Sequence, residues 1–576
     1  MKTGKLISIA LLSLAMACSK ENVSSNQGGS DANQYMAVDI AMSVGSSTKA
    51  PSDYREGSEA ESTVNVNNSI FLFYDAYGNY LTSGVIFATE GSVDKNGNLM
   101  LDNGTDYVEK KSQAVIVLGP TRLRPALVLA VLNYDNCDEL KNLSLADAHK
   151  KVDNNAISTE AGKFTMTNSV YVDGKNIVNA TPIAASSVKE TKEEALNSPV
   201  QIYVEREVAK VNMKAKAGLQ MTAGGKICFE TPNAEYVLNG VKVSARIVVD
   251  GWAANAFNTT SYLVKDVPAS WLDTKPFANW YEEAAKRTFW AQDPNYSGSE
   301  KYIFGRTPEG EPGTYKNVKY LSWNEAAKNN VDSYEYMYEN TTDKASARVN
   351  GGELANVPTI LIAAHVETAK TGAAWERQSI YKFGGLFYTE ESLKNYAAEQ
   401  ILKGKLHWQY TTTEGTKTAS VAPDQVEVTF VANDAENSGS VKVKVAKITA
   451  PGEGAKLMKE DNSVIAEADW AKTVEDILNG ENGFNIAKKE LVCFKDGMCY
   501  YQVPIKHNQT TGDVAYGTVR NHIYELTLSN IAKIGNPVFN PEEKLVLIPG
   551  EEKDYYVSAE LKILKWRVVT QDVVIE

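Results

Sequence analysis

The chain has 576 residues, which is enough for more than one domain, and 43% of them are apolar, which is enough to build real cores. Its net charge of −13 argues against a nucleic-acid partner, because phosphate binding needs clustered Lys and Arg. Tyr outnumbers the other aromatic residues, with 29 copies against 15 Phe and 9 Trp, and this composition favours strands over helices.

The first residues have the pattern of an export signal. Lys2 and Lys5 precede an apolar run over 6–14, which is too short to span a membrane as a mature helix. Small residues then lead to Cys18, as a lipoprotein signal peptidase requires. We predict a lipoprotein signal peptide over 1–18, a lipid such as palmitate on Cys18, and a flexible tether over 19–34. An ordinary secretory signal with an incidental cysteine is the alternative.

The first ordered segment is a predicted strand. Val38, Ile40, Met42 and Val44 alternate with small or polar residues, and this period of two indicates one apolar face. A polar stretch rich in helix and strand breakers follows. Proteases cut in stretches of this kind, and this one contains two basic residues, Lys49 and Arg55.

The next part of the chain reads mainly as strands. A hairpin over 69–88 turns at 75–79, and a short helix begins at Ser144, its candidate N-cap. A glycine-rich break at 222–225 lies near the predicted boundary between two domains, 35–217 and 218–550. The other predicted strands before that boundary are 114–118, 127–133, 164–172 and 200–215.

The second predicted domain combines strands with helical segments. Helices are expected over 278–289, over 390–402 after Thr389, and up to the glycine stop at Gly480. A hairpin-like pair covers 236–249. The other predicted strands are 359–366, 425–431, 440–446, 490–503 and 523–528.

The tail over 551–576 is also strand-like. Its apolar residues alternate from Val557 to Ile563, and the alternation changes face at Leu564, which suggests a bulge or a bend. An unpaired terminal strand is an exposed edge, so the tail either docks within its own domain or is meant for another molecule.

The sequence offers little for catalysis or metal binding. Its five His residues show no zinc spacing, and nucleophile-elbow, Walker and dinucleotide motifs are missing from it. We therefore predict no catalytic residue, no metal and no cofactor. Cys493 and Cys499 flank an Asp-Gly turn signal: a three-residue loop would allow a disulfide between them, and a two-residue loop would forbid it.

Several motifs together resemble the Bacteroidales fimbrial shaft subunits of the FimA-like, or type V, family, and most closely the subunit of the short, minor fimbriae. The resemblance covers nearly the whole chain and rests on the order and spacing of the motifs. They are 17–21 (ACSKE), 38–44 with 47–50 (STKA), 129–133 (LAVLN), 204–206 (VER), 209–211 (AKV), 519–524 (VRNHIY), 535–537 (GNP), 565–566 (KW) and 573–576 (VVIE).

The resemblance implies a fold and a mechanism. The fold would be mostly β, with two tandem transthyretin-like, Greek-key β-sandwich domains, short helical insertions and a C-terminal donor-strand tail. A trypsin-like protease would remove the first strand, 36–44, and the tail of another copy would fill the groove. The tail residues of the right type are Leu561, Ile563, Leu564, Trp566, Val568, Val573 and Ile575.

The cleavage site departs from the family pattern. Lys49 stands where the family has Arg before a small residue, and Arg55 is the nearest arginine. An Arg-only protease would therefore cut after Arg55, whereas a broader trypsin-like protease could cut after Lys49, which motif position favours.

These features predict a non-enzymatic shaft subunit of a cell-surface fimbrium. Its precursor would be a lipoprotein at the outer membrane, and its partners would be copies of itself, accessory fimbrial subunits, the protease and host or bacterial surface ligands in adhesion and virulence. A tip or anchor subunit is one alternative. A glycan-binding surface lipoprotein is another, in which Trp252, Trp280 or Trp290 would stack on sugars.

Overall fold

The structure is a computed structural model, and it describes the residues given at the end of this paragraph. Every structural statement below concerns these residues. They are 34–43, 66, 68–87, 102–103, 108–119, 124–153, 163–173, 176–231, 236–271, 291–294, 318–342, 348–349, 353–354, 357–370, 372–433, 439–485, 491–508, 515–545, 557–562 and 571–572.

The first part of the chain consists mainly of strands, and most of them belong to one large sheet. Its strands are β1 (Gln34–Ser43), β2 (Ser69–Tyr74), β3 (Tyr80–Phe87), β4 (Asp102–Asn103), β5 (Val108–Gly119), β6 (Leu127–Leu132), β7 (Val152–Asp153), β8 (Met166–Asn168), β9 (Tyr171–Asp173), β10 (Asn176–Val178), β11 (Thr181–Pro182), β12 (Val188–Lys189) and β13 (Val200–Arg206). Two helices accompany them, α1 (Leu145–His149) and α2 (Lys192–Leu196).

The large sheet closes on itself through β1. Its strand order is β12-β1-β13-β8-β6-β2-β3-β5-β4, and β5 also pairs with β1. The strands from β1 through β13, β8, β6, β2 and β3 to β5 therefore form a ring of hydrogen-bonded neighbours. A core of apolar side chains lies inside it, including Met36, Val38, Phe71, Phe73, Ile116, Leu132 and Ile202.

The second part of the chain contains more strands and three further helices. The strands are β14 (Val208–Ala215), β15 (Cys228–Glu230), β16 (Tyr236–Leu238), β17 (Val241–Asn255), β18 (Phe257–Asn258), β19 (Ser261–Tyr262), β20 (Val318–Lys319), β21 (Ser333–Tyr338), β22 (Asn340–Thr342), β23 (Arg348–Val349), β24 (Glu353–Leu354), β25 (Thr359–Ala369), β26 (Glu376–Arg377), β27 (Ile380–Phe383), β28 (Leu386–Tyr388), β29 (Leu406–Thr412), β30 (Gly415–Ser420), β31 (Val426–Ala432), β32 (Val441–Ile448), β33 (Lys456–Lys459), β34 (Val492–Phe494), β35 (Met498–Pro504), β36 (Lys506–Asn508), β37 (Ala515–Thr518), β38 (Ile523–Ile531), β39 (Asn536–Pro537), β40 (Val557–Lys562) and β41 (Gln571–Asp572). The helices are α3 (Trp323–Ala326), α4 (Glu390–Tyr396) and α5 (Trp470–Leu478), and one turn of π-helix, Ala397–Leu402, continues α4.

Two sheets of this second part enclose a common core, as in a β-sandwich. One sheet has the order β21-β14-β38-β40-β41, and the other β34-β27-β28-β16-β17-β25-β35-β39. Side chains from both sheets meet in one apolar cluster, among them Val211, Ile247, Ile362, Tyr501 and Leu526. A smaller core packs α4 and α5 against β29 and β31–β33, around Trp408 and Val474. The predicted mostly β fold class is thus confirmed.

Most predicted elements are present with small shifts at their ends. The hairpin of β2 and β3 forms, and Ser144 caps α1 by accepting a hydrogen bond from the backbone N–H of Asp147. Thr389 caps α4 in the same way through Ser392. The predicted helix over 278–289 lies outside the described residues.

Three predicted strands are each two strands with different partners: 164–172 is β8 and β9, 200–215 is β13 and β14, and 490–503 is β34 and β35. The apolar pattern over 200–215 predicts one continuous strand, but β13 and β14 are separated at Glu207. β13 joins the ring, and the backbone N–H of Glu207 extends its register with β8 by donating to the carbonyl of Thr165. β14 then joins the sandwich, where it pairs with β21 and β38. The domain boundary at 217/218 remains a prediction.

In the described part of the chain, no helix is long and apolar enough to cross a bilayer.

Candidate functional site

β1 lies between two strands and pairs with both. It runs antiparallel to β5 over its whole length, from Gln34 opposite Gly119 to Ser43 opposite Val108. On its other side it runs parallel to β13, with Val38 opposite Val200. Removal of β1 would therefore leave two strand edges with unpaired N–H and C=O groups facing each other. We call the gap that β1 fills, between β5 and β13, the β1 slot.

The side chains of β1 are buried on both faces. Met36 and Val38 are fully buried in the core inside the ring. Ala37 points to the other face, where it packs with Val115 and with Ala195 of α2. Burial of Met36 and of Val38 stabilises β1 by about 1.5–3 kcal/mol each. A strand that fills the β1 slot therefore needs alternating apolar residues on one face and a small residue beneath α2.

The other predicted residues of the first strand are described in part. Ile40 lies opposite Ile202 and Met42 opposite Val204 in the backbone register. The structure does not describe the side chains of these two β1 residues, and Val44 lies outside the described residues. Removal of this strand by a protease remains a prediction.

Asp39 is held by one glutamine from each flanking strand. Its Oδ1 atom accepts a hydrogen bond from Nε2 of Gln113 on β5 at 2.8 Å. Its Oδ2 atom accepts one from Nε2 of Gln201 on β13 at 2.5 Å. Both glutamines lie directly opposite Asp39 in the register. We call Gln113 and Gln201 the glutamine pair. Sequence reasoning missed it, because its members are far apart in the chain and only the fold brings them together.

The C-terminal tail pairs with its own chain. β40 runs antiparallel to β38, with Leu561 opposite Leu526, and β41 pairs with β40. Of the predicted donor residues, Leu561 lies in a described strand. The others lie outside the described residues: Ile563, Leu564, Trp566, Val568, Val573 and Ile575. Within the described part of the tail, β40 pairs with the rest of the protein through one strand, β38, whereas β1 pairs with three strands, β5, β12 and β13.

A buried ionic cluster joins the ring to the sandwich. Nε of Arg520 donates to Oε2 of Glu339 at 3.0 Å, and Nζ of Lys265 donates to Oε2 of Glu205 at 3.0 Å. All four side chains are buried, and burial raises the pKa of Glu205 above its usual value. We call these residues, with Glu207, the junction cluster. Burial also raises the pKa of Glu207 well above its usual value, and the carboxyl group of Asp153 raises it further.

The junction cluster brings two of the sequence motifs together. The motif over 204–206 supplies Glu205, and the motif over 519–524 supplies Arg520. Nη2 of Arg520 donates to the carbonyl of Tyr262 at 2.7 Å and to the hydroxyl of Ser261 at 3.0 Å. Nη1 of Arg206 donates to Oδ1 of Asn521 at 3.3 Å. The two motifs thus build the connection between the ring and the sandwich.

The cysteines 493 and 499 are free thiols in the structure. The loop between them has three residues, Lys495–Gly497, but β34 and β35 do not pair with each other. β34 pairs with β27, whereas β35 pairs with β25 and β39. The predicted hairpin is therefore wrong, because long-range strand pairing draws the two cysteine-bearing strands apart.

The remaining sequence candidates have packing roles or lie outside the described residues. Trp252 is fully buried, and its Nε1 atom donates to the carbonyl of Asn330 at 2.9 Å, so its ring is not available for sugar stacking. His365 is also buried, with Nδ1 2.6 Å from Oδ2 of Asp250. No group of three or more His, Cys, Asp and Glu side chains in the described ranges is arranged to hold a metal ion. Cys18, Lys49, Arg55, Trp280 and Trp290 lie outside these ranges.

The C-terminal part of the chain matches a known protein family. Residues 492–572 match the family described as major fimbrial subunit protein type IV, fimbrillin, C-terminal. The matched segment runs from β34 to β41, so it includes both β38 and the tail strands that pair with it. Over this segment the chain is similar to fimbrial subunit proteins. No curated protein matches the chain.

The solved structures that are similar to this chain are distant from it in sequence and in structure. A candidate cell adhesion protein from Parabacteroides distasonis, solved at 2.34 Å, has 11% identity and a TM-score of 0.35, covering 94% of this chain and 99% of that chain. A second such protein from the same organism, solved at 2.05 Å, has 13% identity and a TM-score of 0.32, covering 92% and 99%. The C-terminally truncated tip fimbrial protein Mfa3 from Porphyromonas gingivalis has 9% identity and a TM-score of 0.28, covering 92% and 99%.

Proposed function

We propose that the protein is a shaft subunit of a surface fimbria, and that its copies polymerise by strand exchange. The observation that carries this proposal is the position of β1, which closes the ring by pairing with β5 and β13. A strand held in this way plugs the β1 slot, and its loss creates a site of the same length and apolar pattern. The tail of a second copy would fill that site.

Processing would open the slot. Lys49 and Arg55 both follow β1 in the sequence, so a cut after either residue separates β1 from the rest of the fold. While the chain is intact, β1 is tethered beside its slot at a high effective concentration. Cleavage removes this advantage and also removes Cys18, whose lipid would hold the precursor at the outer membrane. A trypsin-like protease would thus couple release from the membrane to assembly.

Strand exchange also has an energetic basis in backbone pairing. In the described part of the tail, β40 forms one ladder with the body of its own chain, through β38. The β1 slot offers two ladders, one along β5 and one along β13. Each additional backbone hydrogen bond stabilises the assembled form by about 0.5–1.5 kcal/mol. The tail would therefore bind more strongly in the slot of another copy than at the edge of its own sheet.

The shaft is favoured over the tip and anchor positions because this chain has both a tail and basic residues after β1. A tip subunit would lack a donor tail, and an anchor subunit would keep its first strand. Head-to-tail contacts between identical copies generate an open filament. Accessory fimbrial subunits would complete it, and the filament would present adhesive surfaces to host or bacterial ligands.

The test is assembly of the processed protein. Protein that begins after Lys49 or after Arg55 is purified, incubated and examined by SDS gel electrophoresis without boiling. We expect an SDS-resistant ladder, and we expect deletion of 555–576 to leave monomers. Processed protein that stays monomeric with its tail intact would overturn the proposal. N-terminal sequencing of the assembled form identifies which basic residue is cut.

A further inference from the structure

The glutamine pair lies midway along the β1 slot on its exposed face, and within the described ranges both side chains donate to the carboxylate of Asp39. When β1 leaves, Gln113 and Gln201 lose that shared acceptor while they keep their places on β5 and β13. A strand that replaces β1 regains both hydrogen bonds if it brings a carboxylate to the same register position. A hydrogen bond to a charged acceptor is stronger than one to a neutral acceptor.

We propose that the glutamine pair selects Glu560 of a second copy and so fixes the register in which the tail fills the slot. This inference rests on the proposed strand exchange, and it adds the residues that determine the register. Glu560 lies between Ala559 and Leu561, as Asp39 lies between Val38 and Ile40. Both segments therefore place one acidic residue between apolar neighbours that face the opposite side of the strand.

The tight packing of Ala37 supports this register. Ala37 is fully buried against Val115 and Ala195, so its position accepts only a small side chain. With Glu560 at the position of Asp39, Ser558 takes the position of Ala37. Serine is small enough to fit there with little repacking.

If the tail shifts by two residues, its apolar residues stay on the same face of the strand, but the residue that reaches the position of Ala37 no longer fits. A shift that brings Ser558 to the glutamine pair would place Tyr556 where Ala37 lies. A shift that brings Lys562 to the pair would place Glu560 there. The first change overpacks the site beneath α2, and the second buries a carboxylate in an apolar contact.

Two further arrangements are disfavoured by the same reasoning. Asp572, another acidic residue of the tail, would bring Gln571 to the fully buried position of Val38. A tail running in the opposite direction with Glu560 at the pair would bring Lys562 to the position of Ala37. Both arrangements bury a polar or charged group without a partner. The residues thus indicate one register and one direction, parallel to β13.

Disulfide trapping measures this register directly. Asp39 lies opposite Gln113 in an antiparallel ladder, where Cα atoms are about 4.5–5.5 Å apart and within reach of a disulfide. Processed protein with Gln113→Cys is mixed with protein carrying Glu560→Cys, Ser558→Cys or Lys562→Cys. We expect the Glu560→Cys protein to form the intermolecular disulfide. Mixtures that lack either introduced cysteine control for the native thiols.

Assembly kinetics test the selection by Glu560. We expect Glu560→Ala, which removes both hydrogen bonds to the glutamine pair, to slow ladder formation by at least about tenfold, and Asp572→Ala to leave it unchanged. Trapping mainly through Ser558→Cys or Lys562→Cys, or equal rates for Glu560→Ala and wild type, would overturn the register while leaving strand exchange intact. Failure of the wild-type processed protein to assemble would overturn both.

Discussion

At the scale of single residues, the sequence identified the apolar positions of β1 but not their polar partners. The alternation around Val38 predicted a buried face, and Val38 is fully buried. The same alternation marked Asp39 as polar, yet nothing near it in the sequence pointed to Gln113 or Gln201. Such partners follow from strand register, which single-sequence patterns do not specify across long separations.

The junction cluster gives a first prediction at the residue scale. Arg520→Met leaves the carboxylate of Glu339 buried without its cation, and we expect the free energy of unfolding to fall by about 3–5 kcal/mol. Denaturant unfolding measures the change. Lys472→Met, which removes an exposed ion pair with Asp476, serves as the control and should change stability by less than about 1 kcal/mol. Equal effects of the two substitutions would contradict the role given to Arg520.

Glu207 gives a prediction about pH. Burial raises its pKa in the folded state, so the folded protein binds a proton that the unfolded chain releases above its ordinary pKa. Stability is therefore lost as pH rises from the unfolded pKa toward the folded one. Glu207→Gln should remove this loss and become more stable than wild type by an amount that grows as pH rises above the ordinary pKa of a glutamate. The exposed Glu193→Gln is the control. A difference that does not change with pH would be the contrary result.

At the scale of elements, local patterns predicted most strands, and long-range pairing decided which strands became neighbours. The Asp-Gly turn signal at 496–497 is present, with both residues at positive φ, 50° and 71°. The turn chemistry was thus read correctly, but β34 and β35 go to different partners. The break between β13 and β14 was missed for a similar reason, because the apolar alternation continues through a change of sheet.

The element β1 gives a prediction that isolates the slot. A synthetic peptide of residues 34–43 should compete with the tail and suppress the SDS-resistant ladder of processed protein. The peptide would restore the strand pairing with β5 and β13 and the buried side chains of β1. The same peptide with Val38→Asp would bring a charge into the core and should have little effect. Ladder intensity against peptide concentration is the measurement. Equal inhibition by both peptides would show that binding does not depend on the slot.

At the scale of the whole molecule, the ring and the sandwich are joined by a rigid, buried junction. β13 and β14 are consecutive strands of different sheets, and Arg520 reaches from the approach to β38 to the carbonyls of Tyr262 and Leu263. The β1 slot belongs to the ring, and the tail leaves from the sandwich. In the proposed filament, acceptor and donor would thus lie on different parts of one chain, as head-to-tail assembly requires. Sequence patterns predicted two β regions and a tail, but this junction depends on residues that only the fold brings together.

The central claim is that the β1 slot of one copy receives the tail of another. The most direct test mixes an acceptor with a donor and measures the mass of the product by light scattering. The acceptor is processed protein without 555–576, so its slot is open and it has no tail. The donor is unprocessed protein, whose slot is filled by β1 and whose tail is intact. We expect a one-to-one complex that grows no further, whereas two separate monomers, or oligomers larger than the pair, would contradict the account.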